Sequence, residues 1–348
     1  MGVNISDLVK EVAKDITIHN LLGKKIAIDA FNSIYQFLAT IRQRDGTPLK
    51  DYNGNVTSHL KGLFYRTLSL IEHDIKPLYV FDGPPHQLKL KTIQQRREIR
   101  QEQTKKMQEA QDAQEDAEAK KYAQATSKLN SEMIDEAKQL IEYMGIPWIE
   151  AAHDGEAEAA RLIDEGKVWA AASQDYDCML FGAKRLIRNL NINRKRKVKN
   201  TTVEISIKYY SLDKILERLG ISQKQLIDLG ILVGIDFFPG IKGVGEKTGL
   251  KLIKKHGSIE EIMKNKIKSM GKTIEINPIL LKEIRDIFLH ITPPKQQHPI
   301  KWTTPNENGI RDLLIEKHNF SESLLNSGIE RLVKKKSSKM QTSLDKFF

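Results

Sequence analysis

Residues 24–38 read KKIAIDAFNSIYQFL. The apolar run Lys25–Ile28 has the length and flanks of a buried strand, and it stops at an acid, Asp29. Apolar positions Ile34, Phe37, Leu38 and Ile41 then recur at helical spacing. The same unit returns downstream. Residues 57–73 are amphipathic with the helical period, and Lys76–Asp82, KPLYVFD, is a second strand ending in an acid, stopped by Gly83-Pro84-Pro85. Val168–Ser173 is a third. Strands alternating with helices predict the α/β class, with a central, mostly parallel twisted sheet flanked by helices. Ligands of open sheets bind outside the carboxyl ends of the strands. Asp29, Asp82 and the pair Asp175 and Asp177 all lie there.

The third strand sits inside DGEAEAARLIDEGKVWAAASQDYDC, Asp154–Cys178. Glu156 and Glu158 open a helical run before it, and Asp175 and Asp177 follow it. Clustered carboxylates repel until protons or cations neutralise them, and hard cations such as Mg²⁺ take oxygen ligands. Residues two apart on a helix face nearly opposite sides, so Glu156 and Glu158 share a site only at a frayed first turn. The plainer reading is a solvated helix start whose acids suit the helix dipole. Acids at the ends of three strands favour metal binding over it.

The 348 residues suffice for one large domain or two, with a substantial core. A net charge of +11 and a pI near 9.4 point first to nucleic acid and second to an anionic membrane. Cys178 is the single cysteine, so no internal disulfide forms and a reducing compartment is expected. There is no 18-residue apolar run and no signal-peptide core. Met1-Gly2 followed by Ser6 fits the myristoylation pattern, which is short enough to match by chance.

Residues 86–130 differ in kind. No Gly or Pro occurs from His86 to Met144. Lys89 to Lys106 holds seven bases against two acids, and Met107 to Ala119 holds five acids and no base. A helix polar all round bridges solvent or is marginally stable. Its basic half starts seven residues after Asp82, close enough to overhang the acids and grip a phosphate. Residues 131–149 return to an amphipathic helix and the apolar segment Ile146–Ile149. Farther on, Arg185–Asn193 and Thr202–Ile207 read as strands joined by the basic turn Arg194–Lys199, a hairpin against DNA or a solvated tip. Leu232–Ser258 then carries Asp236 after an apolar run, a turn with Gly240, Gly243 and Gly245, and a helix from about Glu246 bearing Lys247, Lys251, Lys254 and Lys255. Glycines let backbone N–H groups approach a phosphate, and a helix N-terminus favours an anion. This is a helix-hairpin-helix pattern, which takes DNA backbone without reading sequence.

Together IAIDAFNSIYQFL, FYRTLSLIEHDIKPLYVFDGPPHQLK, GEAEAA, SQDYDCMLFG and VGIDFFPGIKGVGEK resemble a flap endonuclease of the structure-specific 5′-nuclease family, archaeal in type. They run in the family's order from about residue 20 to 260, and GIERLV extends the likeness toward the C-terminus. The short segment between the two nuclease regions separates the chain from the nucleotide-excision-repair relative, whose insertion is much longer. Two departures are the absence of a lysine between Gly83 and Pro84 and Thr248 where an arginine is common.

The resemblance implies a site for two Mg²⁺ ions, with Mn²⁺ able to substitute, on Asp29, Asp82, Glu156, Glu158, Asp175, Asp177 and Asp236. Lys89 and Arg96 would contact the scissile phosphate, and Tyr35 would stack on the base beside the cleaved bond. Arg42 and Arg66 would lie near the split duplex, and Gly243, Gly245 and Lys247 would bind duplex backbone. Residues 86–130 would form an arch that passes the 5′ single strand. The regions divide as 1–98 nuclease, 99–130 arch, 131–258 nuclease with the hairpin, 259–332 helical, and 333–348 linker and tail, one catalytic domain overall. The implied activity is hydrolysis at the junction of a 5′ flap with a weaker 5′–3′ exonuclease, serving lagging-strand processing and repair. A non-catalytic DNA-binding module and a phosphatase are the other classes; Mg²⁺ dependence and a small phosphoester would separate them.

The tail after Val333, KKKSSKM, reads as a linker. The final QTSLDKFF matches the peptide that binds the DNA sliding clamp, PCNA, through Gln341, Leu344, Phe347 and Phe348. Leu344 and Phe347 are one helical turn apart and can enter one apolar pocket. A monomer is expected, with no membrane contact, in the cytoplasm with the archaeal nucleoid, or in the nucleus of a eukaryote.

Overall fold

The computed structural model describes residues 2–43, 45–90, 92–95, 97–99, 101–102, 105, 129–190, 195–198, 201–295 and 299–344, with backbone alone at 195–198, 201–204 and 336–344. The strands are β1 (Lys14–Ile16), β2 (Lys25–Asp29), β3 (Lys76–Phe81), β4 (Trp148–Glu150), β5 (Ala170–Ala172), β6 (Arg185–Arg188), β7 (Lys195–Val198), β8 (Thr201–Glu204), β9 (Ile207–Ser211), β10 (Lys268–Ser269) and β11 (Lys272–Thr273). Seven of them form the sheet β1-β9-β6-β5-β2-β3-β4. β4, β3, β2, β5 and β6 run parallel, and β9 pairs antiparallel with β6 and β1 at the edge. The sheet is therefore mostly parallel, as expected.

Helices cover both faces: α1 (Ser6–Val9), α2 (Ala30–Thr40), α3 (Ser58–Glu72), α4 (Ser131–Tyr143), α5 (Gly155–Asp164), α6 (Asp177–Leu180), α7 (Leu212–Leu219), α8 (Gln223–Val233), α9 (Glu246–His256), α10 (Ile259–Lys264), α11 (Pro278–Leu289), α12 (Glu307–Arg311) and α13 (Glu322–Leu344). The period-2 geometry of β2 divides the core. Ala27 packs with α5 and α8 residues such as Leu162 and Leu229, whereas Ile26 and Ile28 pack with Ile34, Leu63 and Ile329 of α2, α3 and α13. Among the described residues no helix is long and apolar enough to cross a membrane.

The register puts the acids on one rim. Ile28 lies opposite Tyr79 of β3 and Ala172 of β5, so the residues that follow each strand leave the sheet side by side. Asp29 leaves β2 and caps α2, its carboxylate accepting the Asn32 N–H at 2.9 Å.

Two expectations about basic segments are corrected. Lys195–Val198, expected within a turn between two long strands, is itself a strand, paired in a separate two-stranded ribbon with Thr201–Glu204; Arg194 and Lys199 lie outside the described residues. The sheet partner of β6 is β9. The ribbon pairs residue for residue, from Lys195 with Glu204 to Val198 with Thr201. The linker reading of 333–344 also fails, because α13 continues through KKKSSKM to Leu344. Lysine and methionine are good helix formers, and a packed helix extends without a new nucleation cost.

Candidate active site

The rim of the sheet opens into a cleft of about 620 Å³ lined by Tyr35, Asp82, Lys89, Thr92, Asp154 and Asp236. Asp82 accepts the Gly155 N–H at 2.7 Å, which ties the end of β3 to the start of α5. Ser173 donates to Asp29 Oδ2 at 3.2 Å. The N-terminal segment closes the other side: Gly2 N–H donates to Asp175 Oδ1 at 3.3 Å and Val3 N–H to Asp177 Oδ1 at 2.6 Å. A Cβ on Gly2 would fall 2.8 Å from both Asp175 Cβ and Asp177 Oδ1, so a side chain there would displace the acids.

Electrostatics binds these groups into one set. Loss of hydration raises the Asp29 carboxyl to about 7, reinforced by Asp82 and Asp175. The same cause takes Asp177 to about 7, aided by Asp236 and Asp175 and opposed by the Val3 N–H. Glu156 is held well above the usual carboxylate range by desolvation, then by Asp177 and Asp29. Asp82 rises to about 6 through desolvation, with Asp154 and Asp236 adding to it. It nevertheless keeps an open face toward the cleft. Lys89 is the cation among them. It pairs with Asp154, lies 3.8 Å from Asp236 and stands 4.9 Å from the centre of the Phe237 ring. Burial works against its charge, but Asp154, Glu156 and Asp236 outweigh that and push its pKa up.

The acid pair at the start of α5 is displaced by two residues from the expected one. The structure brings Glu156 to the cluster and leaves Glu158 out of it. Glu158 is buried on another side of α5, where Arg161 donates to both of its oxygens at 2.6 and 2.8 Å. Its partner at the cleft is Asp154, which sequence reasoning missed. Residues 154, 156 and 158 are all acids, so spacing alone allowed either pair. The helix starts at Gly155, which makes Asp154 the N-cap and puts Glu156 and Glu158 both in the first turn, two apart and so on different sides of it. Asp154 does not cap the helix with its side chain, because its carboxylate is turned to Lys89. The signal was the Asp-Gly at a helix start, where a cap is expected and the carboxylate is free for another task.

The remaining expected residues are spread more widely. Tyr35 is 37% exposed on the cleft wall. Arg42 donates to the backbone of its own loop, to Ala39 O at 3.2 Å and Gly46 O at 2.9 Å. Arg66 lies on α3, partly buried. Thr92 donates to the Asp236 carbonyl at 2.8 Å and joins its segment to the cleft. Arg96 lies outside the described residues. So does most of 99–130, so no arch is described. In the turn between α8 and α9, Gly243 has φ +84°, and a Cβ there would press on Met270 at 2.6 Å. Gly245 caps α9, with open space where a Cβ would stand, and the Lys247 side chain is 70% exposed. Gln341 and Leu344 fall in the last turns of α13; Phe347 and Phe348 lie outside the described residues.

Comparison with known proteins agrees with this geometry. Residues 1–103 match the XPG N-terminal domain and residues 145–236 the XPG I-region. A flap endonuclease 1 from Methanobrevibacter smithii is 48% identical over the whole of both chains. One from Pyrococcus horikoshii is 47% identical across 100% of this chain and 98% of its own. The solved flap endonuclease-1 of Methanococcus jannaschii superposes with a TM-score of 0.76 at 35% identity, covering 97% of this chain and 100% of that one. The catalytic core of Rad2 in complex with DNA substrate shares the fold, with a TM-score of 0.73, 24% identity and coverage of 96% and 100%. On this likeness over its full length, the chain belongs to the flap endonuclease 1 family of structure-specific nucleases.

Proposed function

We infer that this protein is a structure-specific 5′-flap endonuclease with 5′–3′ exonuclease activity, acting on branched DNA in lagging-strand processing and repair. The observation that carries the reading is the cleft itself: acids delivered by several separate elements converge beside one partly buried lysine, in a chain of this family.

Among the described residues no three acids stand together as a ready metal cage, but the chemistry of the set suits divalent cations. Carboxylates driven up to about 6 or 7 by desolvation and mutual repulsion are groups that a hard cation would return to the ionised state. Asp29, Asp82, Asp154, Glu156, Asp175, Asp177 and Asp236 would hold two Mg²⁺ ions, for which Mn²⁺ can substitute. Such ions, when bound, supply an activated water and stabilise the leaving oxygen of an in-line displacement. The protein's own groups do the rest. Lys89 keeps its charge at the cleft mouth, where it meets the phosphoryl oxygens as charge develops on them. Tyr35 offers a ring face for the base beside the cleaved bond. The turn at Gly243–Gly245 and the N-terminus of α9 take the duplex backbone, with Lys247 alongside. Arg96 is proposed as the second cation on the scissile phosphate.

We also propose that the protein acts as a monomer, that its terminal Gln341, Leu344, Phe347 and Phe348 engage the DNA sliding clamp, and that it works where cellular DNA is held: the archaeal cytoplasm, or a eukaryotic nucleus. Digestion of matched flap, nicked and blunt substrates with Mg²⁺ or with EDTA tests the activity. Flap cleavage that needs Mg²⁺ and strongly exceeds blunt-end trimming is expected. Cleavage undiminished in EDTA would overturn the metal assignment, and equal use of all substrates would overturn the specificity.

A further inference from the structure

The first residues of the chain form a strap between two functional regions. At one end the Gly2 and Val3 amides hold Asp175 and Asp177. Val3, Ile5 and Val9 are buried in the core, so the strap is anchored along its length. At the other end lies α9, the helix that follows the glycine turn. Its first residue, Glu246, does not turn its carboxylate to its own helix. Both oxygens accept from α1: the Asp7 N–H at 3.1 and 3.3 Å and the Leu8 N–H at 3.4 Å. The next residue, Lys247, pairs with the Asp7 carboxylate at 3.2 Å.

A carboxylate is a poor choice at the start of a helix that receives DNA phosphates. It opposes the attraction of Lys247, Lys251, Lys254 and Lys255, which follow it. The helix dipole alone favours an acid there, but such an acid would face its own first-turn amides or water. Here it is committed to the unsatisfied amides of another helix.

We propose that Glu246 is a positioning residue for cleavage: by anchoring α1 it fixes the strap, and the strap amides hold Asp175 and Asp177 in the orientation that the chemistry uses. The consequence is a mechanical link between the element that takes the duplex and the carboxylates that take the cations. This inference rests on the metal-dependent nuclease reading above.

Three measurements on the full-length protein test it. The first is Mn²⁺ binding without DNA, followed by the electron paramagnetic resonance of the free ion. The second is duplex and flap affinity in EDTA. The third is single-turnover flap cleavage at saturating enzyme. Glu246→Ala is expected to raise the half-saturating Mn²⁺ concentration and lower the single-turnover rate by about tenfold each, the low end for a group acting through the ligands' supports. DNA affinity should be unchanged or tighter, because a negative charge has left the phosphate-binding face. Glu246→Gln, which keeps an acceptor oxygen, should restore most of both losses, and it also serves if the alanine variant fails to fold. Weaker DNA binding with normal Mn²⁺ binding would make Glu246 a DNA-face residue and overturn the proposal. So would wild-type rates and Mn²⁺ binding in both variants. Wild-type protein that neither binds Mn²⁺ nor cleaves would instead refute the metal-dependent reading itself.

Discussion

Two kinds of buried charge occur in this molecule, and they are handled in opposite ways. At the junction of α8, α10 and α11, Arg285 is nearly buried and donates to Asp228 at 2.7 and 2.8 Å, and it also pairs with Glu260. Between the loop at Asp51, helix α4 and the segment after α12, His318 is bonded to Asp51 and Glu136 at 2.9 Å each. In both places each acid has a cation inside the fold. At the carboxyl rim of the sheet, acids from β2, β3, the start of α5, α6 and the segment after α8 gather around Lys89, and several remain raised by burial and then by mutual repulsion. A fold that can neutralise its buried acids elsewhere, yet leaves them in excess here, is built to take charge from outside.

The largest effect expected from this contrast is at the two ends of the acidic run on α5. Asp154→Asn should lower single-turnover flap cleavage ~10³-fold, equivalent to about 4 kcal/mol of transition-state stabilisation. Glu158→Gln should stay within about twofold of wild type, since Arg161 rather than the cleft is its partner. The opposite ranking would restore Glu158 to the site. Next in size is Arg285→Met, which strands Asp228 without a cation. Desolvation already raises the Asp228 carboxyl even with Arg285 beside it. Breaking such a pair costs about 3 kcal/mol, measurable by urea unfolding, with cleavage of the folded fraction unchanged. If stability did not fall, the internal pairing would be dispensable and the contrast would weaken.

The smallest effect concerns pH. His318 is raised from its ordinary value, first by its hydrogen bond to Glu136 and then by Asp51. Lys317 reaches the same Glu136 at 2.6 Å, while neighbouring His59 is pushed down to about 4 by burial and stays neutral. A raised imidazolium contributes stability that is complete below the ordinary pKa of 6.5 and is lost as pH rises through the folded value. The gap in melting temperature between wild type and His318→Gln should therefore be widest in mild acid and close in alkali. A gap that widened with pH would mean that His318 is neutral in the fold.

The sequence carried the sheet well because β2, β3 and β5 are apolar runs bounded by acids and turn residues, and their parallel register follows from alternation with helices. It carried most of the site for the same reason: Asp29, Asp82, Asp175 and Asp177 are placed by where strands end. It failed where position depends on helix phase. DGEAEAA offers three acids at a spacing of two, and which pair faces the cleft is settled by the residue at which α5 begins. It failed again where basic runs suggested turns or linkers, because lysine is accommodated in a strand or a helix as well as in a loop. The strap was illegible for a third reason. Backbone amides of Gly2 and Val3 leave no trace in side-chain chemistry, and their partners are more than 170 positions away.

The packing at Gly2 also bears on how the protein can be handled. The amide of residue 2 lies against the carboxylates of the cleft, and even one added carbon on that residue would collide with them. A substitution at Gly2 therefore disturbs the cleft directly. A handle or tether is better joined at a site other than residue 2.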